Sequence, residues 1–363
     1  MLRNFPGGLL IALQIGCLGD AQSAAAAPHQ QRDMRIDETP LFTIGDDPDE
    51  GLYDVTGAVL TSDALILAER STHSLRFYNR ETGQLLHTVG QQGEGPGDYE
   101  SLDLLQAVGD RLFTFDGWNI RVTIRDGAGN LERTVRVQPW GDYNAVHVDG
   151  FFSDGSMLAE AHSYRWEQAP MIRRFEHELA RNDPDGTFAE RLGTYLSYEH
   201  YASSESMHIY PYRREVWVVV VGDRYHIVDN KDPVIHVFDA TGELVDELQP
   251  HMPLEPRRIT RAGRDSIPEM EGIDDDDLPQ FYPFFGRPRM AGGMLWVPDY
   301  EGLAPGGGSA WTVYSGDGEL VGRVTSSEVG IEVLAAADDV VAVLVTDELE
   351  VETVQLRRII ERP

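Results

Sequence analysis

Apolar residues in this chain come in short runs, cut by Gly, Asn and Asp before they can form a helical face. That pattern predicts strands. One kind of run is nearly continuous and recurs at 64–68, 111–115, 156–159, 224–228, 294–297 and 340–345. An acid follows each copy: Glu69, Asp116, Glu160, Asp229, Asp299 and Asp347. A second kind alternates apolar with polar positions and ends in an Asx or Gly turn, at 75–83, 122–129, 235–242 and 311–318, with a longer version at 174–186. Alternation running into such a turn is a hairpin signal. Together the runs predict six repeats of four strands, an all-β six-bladed β-propeller. The last repeat lacks a fourth strand, since 351–360 is the final one, and 41–44 is a surplus strand at the other end. Pairing the two predicts a ring closed by an N-terminal strand joining the last blade, which leaves only short edges. A pair of β-sandwiches does not predict that complementary shortfall.

The loop Gly90-Gln-Gln-Gly-Glu-Gly-Pro-Gly-Asp-Tyr99 then places the chain among known folds. It resembles the G-x-x-G-x-G-P-G-[ED]-[FY] loop between blades of bacterial NHL-repeat and TolB-like propellers. Leu278-Pro-Gln-Phe-Tyr-Pro283, followed by 294–297, is similar to a late-blade pattern of the same group. The resemblance implies an exported propeller and, for most members, no assigned activity. The metal-ligand patterns of the lactonases and amidating lyases in the wider superfamily are not found intact here. The loop is no phosphate cradle, because it lacks the Lys-Ser/Thr of a P-loop and leads into a strand.

The N-terminus differs from the rest. One basic residue, Arg3, precedes a mostly apolar run at 5–18 and a small-residue tract at 21–27, the order of a secretory signal peptide. Residues 1–27 are expected to be removed, leaving 28–363 as a single domain in the periplasm or outside the cell. Gly16-Cys17 suggests a lipid anchor at Cys17 as an alternative, but Gln14 occupies a position where that pattern wants an aliphatic. Cys17 is the sole cysteine, so no disulfide framework supports the domain. The formal net charge of −31 repels nucleic acid and anionic lipid and favours cationic ligands.

In a propeller, loops from second to third strand, and from fourth strand to the next blade, share one face. The long loops 90–99, 163–170, 195–206, 251–280 and 300–309 all belong to it, so binding residues are expected there. The ligand-binding candidates are Tyr99, which closes the Gly-rich loop, His208 and Tyr210 at the start of one predicted inner strand, and Tyr282 and Arg287 at the next. His147 and Asp149 occupy a comparable strand. The insertion or lid at 251–280 holds Glu269, Glu271 and Asp274 to Asp277, a set that can be drawn as a Ca²⁺ site. Its spacing is not that of an EF-hand, and a solvated acidic lid is the simpler account. The basic stretch 255–262 is expected as a short helix across the channel mouth. No catalytic motif stands out. The leading expectation is an exported, non-catalytic propeller that binds a small molecule or protein through aromatics such as Tyr198, Tyr201, Phe281, Tyr282 and Phe284. The alternative is a Ca²⁺-assisted hydrolase or lyase at the channel mouth, needing carboxylates and His from at least three blades. A structural envelope protein is a third reading.

Overall fold

The computed structural model describes residues 32–47, 51–143, 145–162, 171–202, 207–249, 255–267, 277–300 and 307–362. Its strands form antiparallel sheets in chain order. The first is β3 (Val55–Leu60), β4 (Ala64–Glu69), β5 (Ser74–Asn79) and β6 (Leu85–Val89). The second is β7 (Leu104–Val108), β8 (Arg111–Asp116), β9 (Arg121–Asp126) and β10 (Leu131–Arg136). The third is β11 (Ala145–Phe151), β12 (Met157–His162), β13 (Met171–Asn182), β14 (Phe188–Ala202) and the short β15 (Met207–His208). The fourth is β16 (Val216–Val221), β17 (Arg224–Asp229), β18 (Ile235–Asp239) and β19 (Leu244–Leu248).

The rest forms one nine-stranded sheet built from two sets. One set is β20 (Arg289–Ala291), β21 (Met294–Pro298), β22 (Ser309–Ser315) and β23 (Leu320–Ser326). The other is β24 (Glu332–Ala337), β25 (Val340–Thr346) and β26 (Glu352–Glu361), with β2 (Phe42–Ile44) pairing on β26 through Phe42↔Leu356. An unanticipated strand, β1 (Arg32–Ile36), joins the sets by lying parallel to β23 and antiparallel to the end of β26. Its Arg-Asp-Met-Arg-Ile sequence is too charged to signal a strand. The first strand of each set touches the first strand of the next, and β24 returns to β3. The result is an all-β, propeller-like fold.

Strand alternation lets each sheet bury both faces. On β12, Met157, Ala159 and Ala161 pack towards Phe113 and Phe115 of the second sheet, while Leu158 packs with Leu179 against Val218, Val220 and Tyr225 of the fourth. Each such buried large side chain stabilises by about 1.5–3 kcal/mol. The inner strands are crowded: a Cβ on Gly150 would lie 2.6 Å from Val220 Cβ. Gln106 ties β7 to β11 as an amide pair, donating to Phe151 O at 2.8 Å and accepting from Phe151 N at 2.9 Å.

Most of the recurrent acids are architectural. Glu69 accepts from Tyr53 N and Thr72 Oγ1 and pairs with Arg76 at 2.8 Å. Asp116 takes up the backbone N–H groups of Glu100, Ser101 and Asn119, and Asp347 those of Leu349 and Val351. Glu160 breaks the rule. In register, Val55 faces Glu69 and Val216 faces Asp229, but the matching residue of the third sheet is His162, opposite Ala145. Glu160 lies two residues further into the strand.

Three expectations need correction. Residues 195–202 are not loop but the end of β14, because 188–202 pairs with β13 along an unusually long hairpin. The stretch 255–260 is not helical; helix α1 is Arg261–Asp265, started by Thr260, whose side chain caps Gly263 N at 3.1 Å. His208 and Tyr210 do not begin an inner strand. His208 sits on β15 at the outer edge of the third sheet, paired with Tyr201, and Pro211 separates both from the Val-rich inner strand β16.

Candidate functional site

The chemistry is concentrated on the third sheet. Glu160 and His162 follow Leu158 at alternate positions of β12, so they share its face towards the fourth sheet. Cross-strand register extends the row: His147 faces Glu160 on one side, and His177 faces Tyr195 on the other. The His162 and His177 rings stack with centroids 4.3 Å apart and planes 9° from parallel. His177 Nδ1 lies 3.0 Å from Glu160 Oε2, Tyr195 donates its hydroxyl to the same oxygen, and that hydroxyl is 3.3 Å from His177 Nδ1. Asp149 arrives by a β-bulge between Val148 and Gly150, which re-aims it relative to the ladder.

These residues open onto a cavity of about 390 Å³ lined by the inner strands β3, β7, β11, β16, β20 and β24. Elsewhere its wall is mainly apolar, as at Ala58, Val59, Leu105, Val218, Val220, Leu334 and Ala335. On the third sheet it is His147, Asp149, Glu160, His177, Tyr195, Ser197 and Tyr198, with Arg287 and Arg289 arriving ahead of and on β20. Three enclosed polar atoms on this wall have no hydrogen-bond partner among the described residues: Asp149 Oδ2, His177 Nε2 and Ser197 Oγ.

The two carboxyls divide their roles electrostatically. Burial, and then the charge of Glu160, push the Asp149 carboxyl well above the usual range, with Arg287 pulling part of the way back. Burial also acts to raise Glu160, but the hydrogen bond from His177, the fields of His177 and His147 and the Tyr195 hydroxyl outweigh it and hold Glu160 down at about 2. One carboxyl pushed up beside one held down is the pattern expected where like charges crowd. Burial, followed by His177, lowers His162 to about 4, against an opposing pull from Glu160. Burial and the Glu160 charge raise the Tyr195 phenol, so it stays a donor.

Of the candidates read from sequence, Arg287 lines the cavity, and so do His147 and Asp149. The other four lie elsewhere. Tyr99 is fully buried, its hydroxyl accepting from Thr114 and Arg125. The Gly-rich loop is held by arginines: Arg125 donates to Gly97 O at 2.6 Å, and Arg121 to Glu94 O and Asp98 O. Backbone carbonyls of the loop meet those cations, consistent with a structural turn. His208 is exposed and stacks on Tyr201. Tyr210 is buried and donates to Glu199 at 3.1 Å. Tyr282 forms a ring cluster with Tyr212 and Tyr300 and meets Thr260. Among the expected recognition aromatics, Tyr198 reaches the cavity, beneath the Arg213 guanidinium at 4.7 Å. Glu269, Glu271 and Asp274 to Asp276 lie outside the described residues.

Sequence reasoning missed Glu160, His177, Tyr195 and Ser197 as a group. One signal was present. Glu69, Asp116, Asp229 and Asp347 run directly into turn residues, whereas Glu160 is followed by Ala161-His162 and the strand continues.

No family model matches the chain, and no curated protein matches it. Among solved structures it is similar to a candidate exported protein of Bacteroides fragilis, at 10% identity over 91% of this chain and 99% of that one, TM-score 0.49. A Bacteroides vulgatus member of the DUF4221 family matches at 10% identity over 92% and 100%, TM-score 0.49. A luciferin-regenerating enzyme matches at 11% identity over 89% and 95%, TM-score 0.42. Likeness at that level carries no argument about chemistry. Among the described residues, no helix is long and apolar enough to cross a membrane.

Proposed function

We propose that this chain is exported, loses residues 1–27, and forms a six-bladed propeller of the NHL-repeat and TolB-like kind that binds a small polar ligand in its channel, against the third sheet, without catalysing a reaction. The circuit of inner strands from β3 round to β24 supports the ring, and the β2–β26 pairing supports its closure. One observation carries the binding reading. Asp149 Oδ2, His177 Nε2 and Ser197 Oγ, from three different strands, are enclosed on one cavity wall without partners among the described residues. An unpaired buried polar atom costs about 1–3 kcal/mol, so three together make sense as contacts for a ligand. Its cavity volume suits a small molecule. Asp149 Oδ2, Ser197 Oγ and His177 Nε2 offer polar contacts and Arg287 supplies a cation, so the ligand carries hydrogen-bonding groups together with an acidic or carbonyl oxygen.

Ca²⁺-assisted hydrolysis at the mouth is less well supported. It needs carboxylates and imidazoles converging from at least three blades, and among the described residues lining the cavity Asp149, Glu160, His147 and His177 all come from one sheet. The test is thermal melting of the purified protein against a panel of amino acids, hydroxy acids and small sugars. A ligand present at 100 times its Kd stabilises by about 2.7 kcal/mol, and that shift is expected to shrink in Ser197→Ala and Arg287→Ala. A shift that both variants leave intact places the binding site elsewhere.

A further inference from the structure

We propose that Glu160, His162 and His177 together hold a divalent first-row transition ion, with an open coordination position facing the channel. The proposal takes only its location from the channel-binding reading, and names what would anchor the ligand there.

The ligating atoms of the three side chains all lie within 4.8 Å of one another. A tetrahedral Zn²⁺ site, with bonds of about 2.0–2.2 Å, places its ligand atoms roughly 3.3–3.5 Å apart. His177 Nδ1 and Glu160 Oε2 are already 3.0 Å apart, so closing the set takes side-chain shifts of ~1 Å. The backbone favours this. Glu160 and His162 are alternate residues of one strand, and His177 stands on the adjacent strand, so three ligands come from the paired strands β12 and β13. The donor types select the ion. Two imidazoles and one carboxylate suit Zn²⁺ and its neighbours, whereas Ca²⁺ takes six to eight oxygens.

A closed hydrogen-bonded trio of His177, Glu160 and Tyr195 is the competing account. It leaves His177 Nε2 buried without a partner among the described residues. Three protein ligands with a fourth position free is the arrangement of zinc sites that take an exchangeable ligand, not of structural zinc sites. Glu160 and His177 line the cavity, so an ion between them faces it. Its free position then suits an oxygen donor such as a carboxylate or an α-hydroxy acid.

The test uses purified protein stripped with EDTA and titrated with Zn²⁺, and with Co²⁺ as a spectroscopic probe. The expected result is one ion per chain and the intense visible bands of four-coordinate Co²⁺, displaced by Zn²⁺. Glu160→Gln and His177→Gln are expected to weaken binding by more than the ~10–100-fold that loss of an outer-shell partner costs. His208→Ala and His236→Ala are expected to leave it unchanged. Absence of stoichiometric binding, or equal affinity in the Glu160 and His177 variants, overturns the proposal. Should those variants not fold, X-ray absorption of the Zn²⁺-loaded native protein decides: two imidazole shells near 2.0–2.1 Å support the site, and fewer than two overturn it. Small-ligand stabilisation that persists in metal-free protein with no Zn²⁺ binding removes the metal and keeps the channel reading. Zn²⁺ binding without any small-ligand effect does the reverse.

Discussion

His226 offers a clean measure of how dry the packing between the fourth sheet and its neighbour is. It is fully buried on β17, flanked in register by Val219 and Val237. Its Nδ1 lies 3.3 Å from Val219 O and its Nε2 has no hydrogen-bond partner among the described residues. Burial lowers its pKa from 6.5 to about 4, with the Val219 contact opposing. The sign follows from linkage. Between pH 4 and 6.5 the unfolded chain binds a proton at this ring that the folded chain excludes. Its contribution is therefore fully present above pH 6.5 and is lost as pH falls, by about 1.4 kcal/mol per unit and about 3 kcal/mol in all. Replacing the ring by His226→Leu removes that slope. Other titrating groups are common to both proteins and cancel in the difference. Melting curves of native and variant protein across this range are expected to converge, or cross, in the variant's favour as pH falls. The relative shift is roughly 4 °C for a domain of this size. Parallel pH dependences in the two proteins refute the reasoning, because they mean that the native ring takes up its proton without unfolding.

Gln106→Leu removes both hydrogen bonds that tie β7 to β11 and strands the N–H and C=O of Phe151; a loss of about 2–5 kcal/mol in unfolding stability is expected, and a loss below about 1 kcal/mol would mean that those groups find other partners. Arg125→Met releases Gly97 O, Gly129 O and the Tyr99 hydroxyl, so limited proteolysis is expected to cut within 90–99 in the variant and not in the native protein.

How the site was assembled explains why it was hard to foresee. The recurrent acids were visible as a set, and for Glu69, Asp116 and Asp347 the architectural reading fits the hydrogen bonds they make. Glu160 was hidden in that set, since composition alone cannot show that it sits two residues inside the strand while His162 takes the strand-end register. Tyr195 and Ser197 fell in a segment expected to be loop, because the length of the β13–β14 hairpin depends on pairing between residues distant in the chain. Tyr99 was read for its motif, yet its hydroxyl is turned inward to Arg125 and Thr114.

The strands, their turns and the surplus N-terminal strand were legible because they follow from neighbours in sequence: alternation decides which residues can pair, and Asx and Gly turns decide where the chain reverses. The net charge and the lone cysteine were equally fixed by composition. What the sequence left open is which side chains meet. That depends on the bulge at Asp149, on the register that sets His177 opposite Tyr195, and on the stacking of one sheet against the next. Slipping a strand by one residue turns every side chain to its other face. Local pattern therefore determined the elements, and long-range register alone gathered an acid, two imidazoles and a phenol on one wall of the channel.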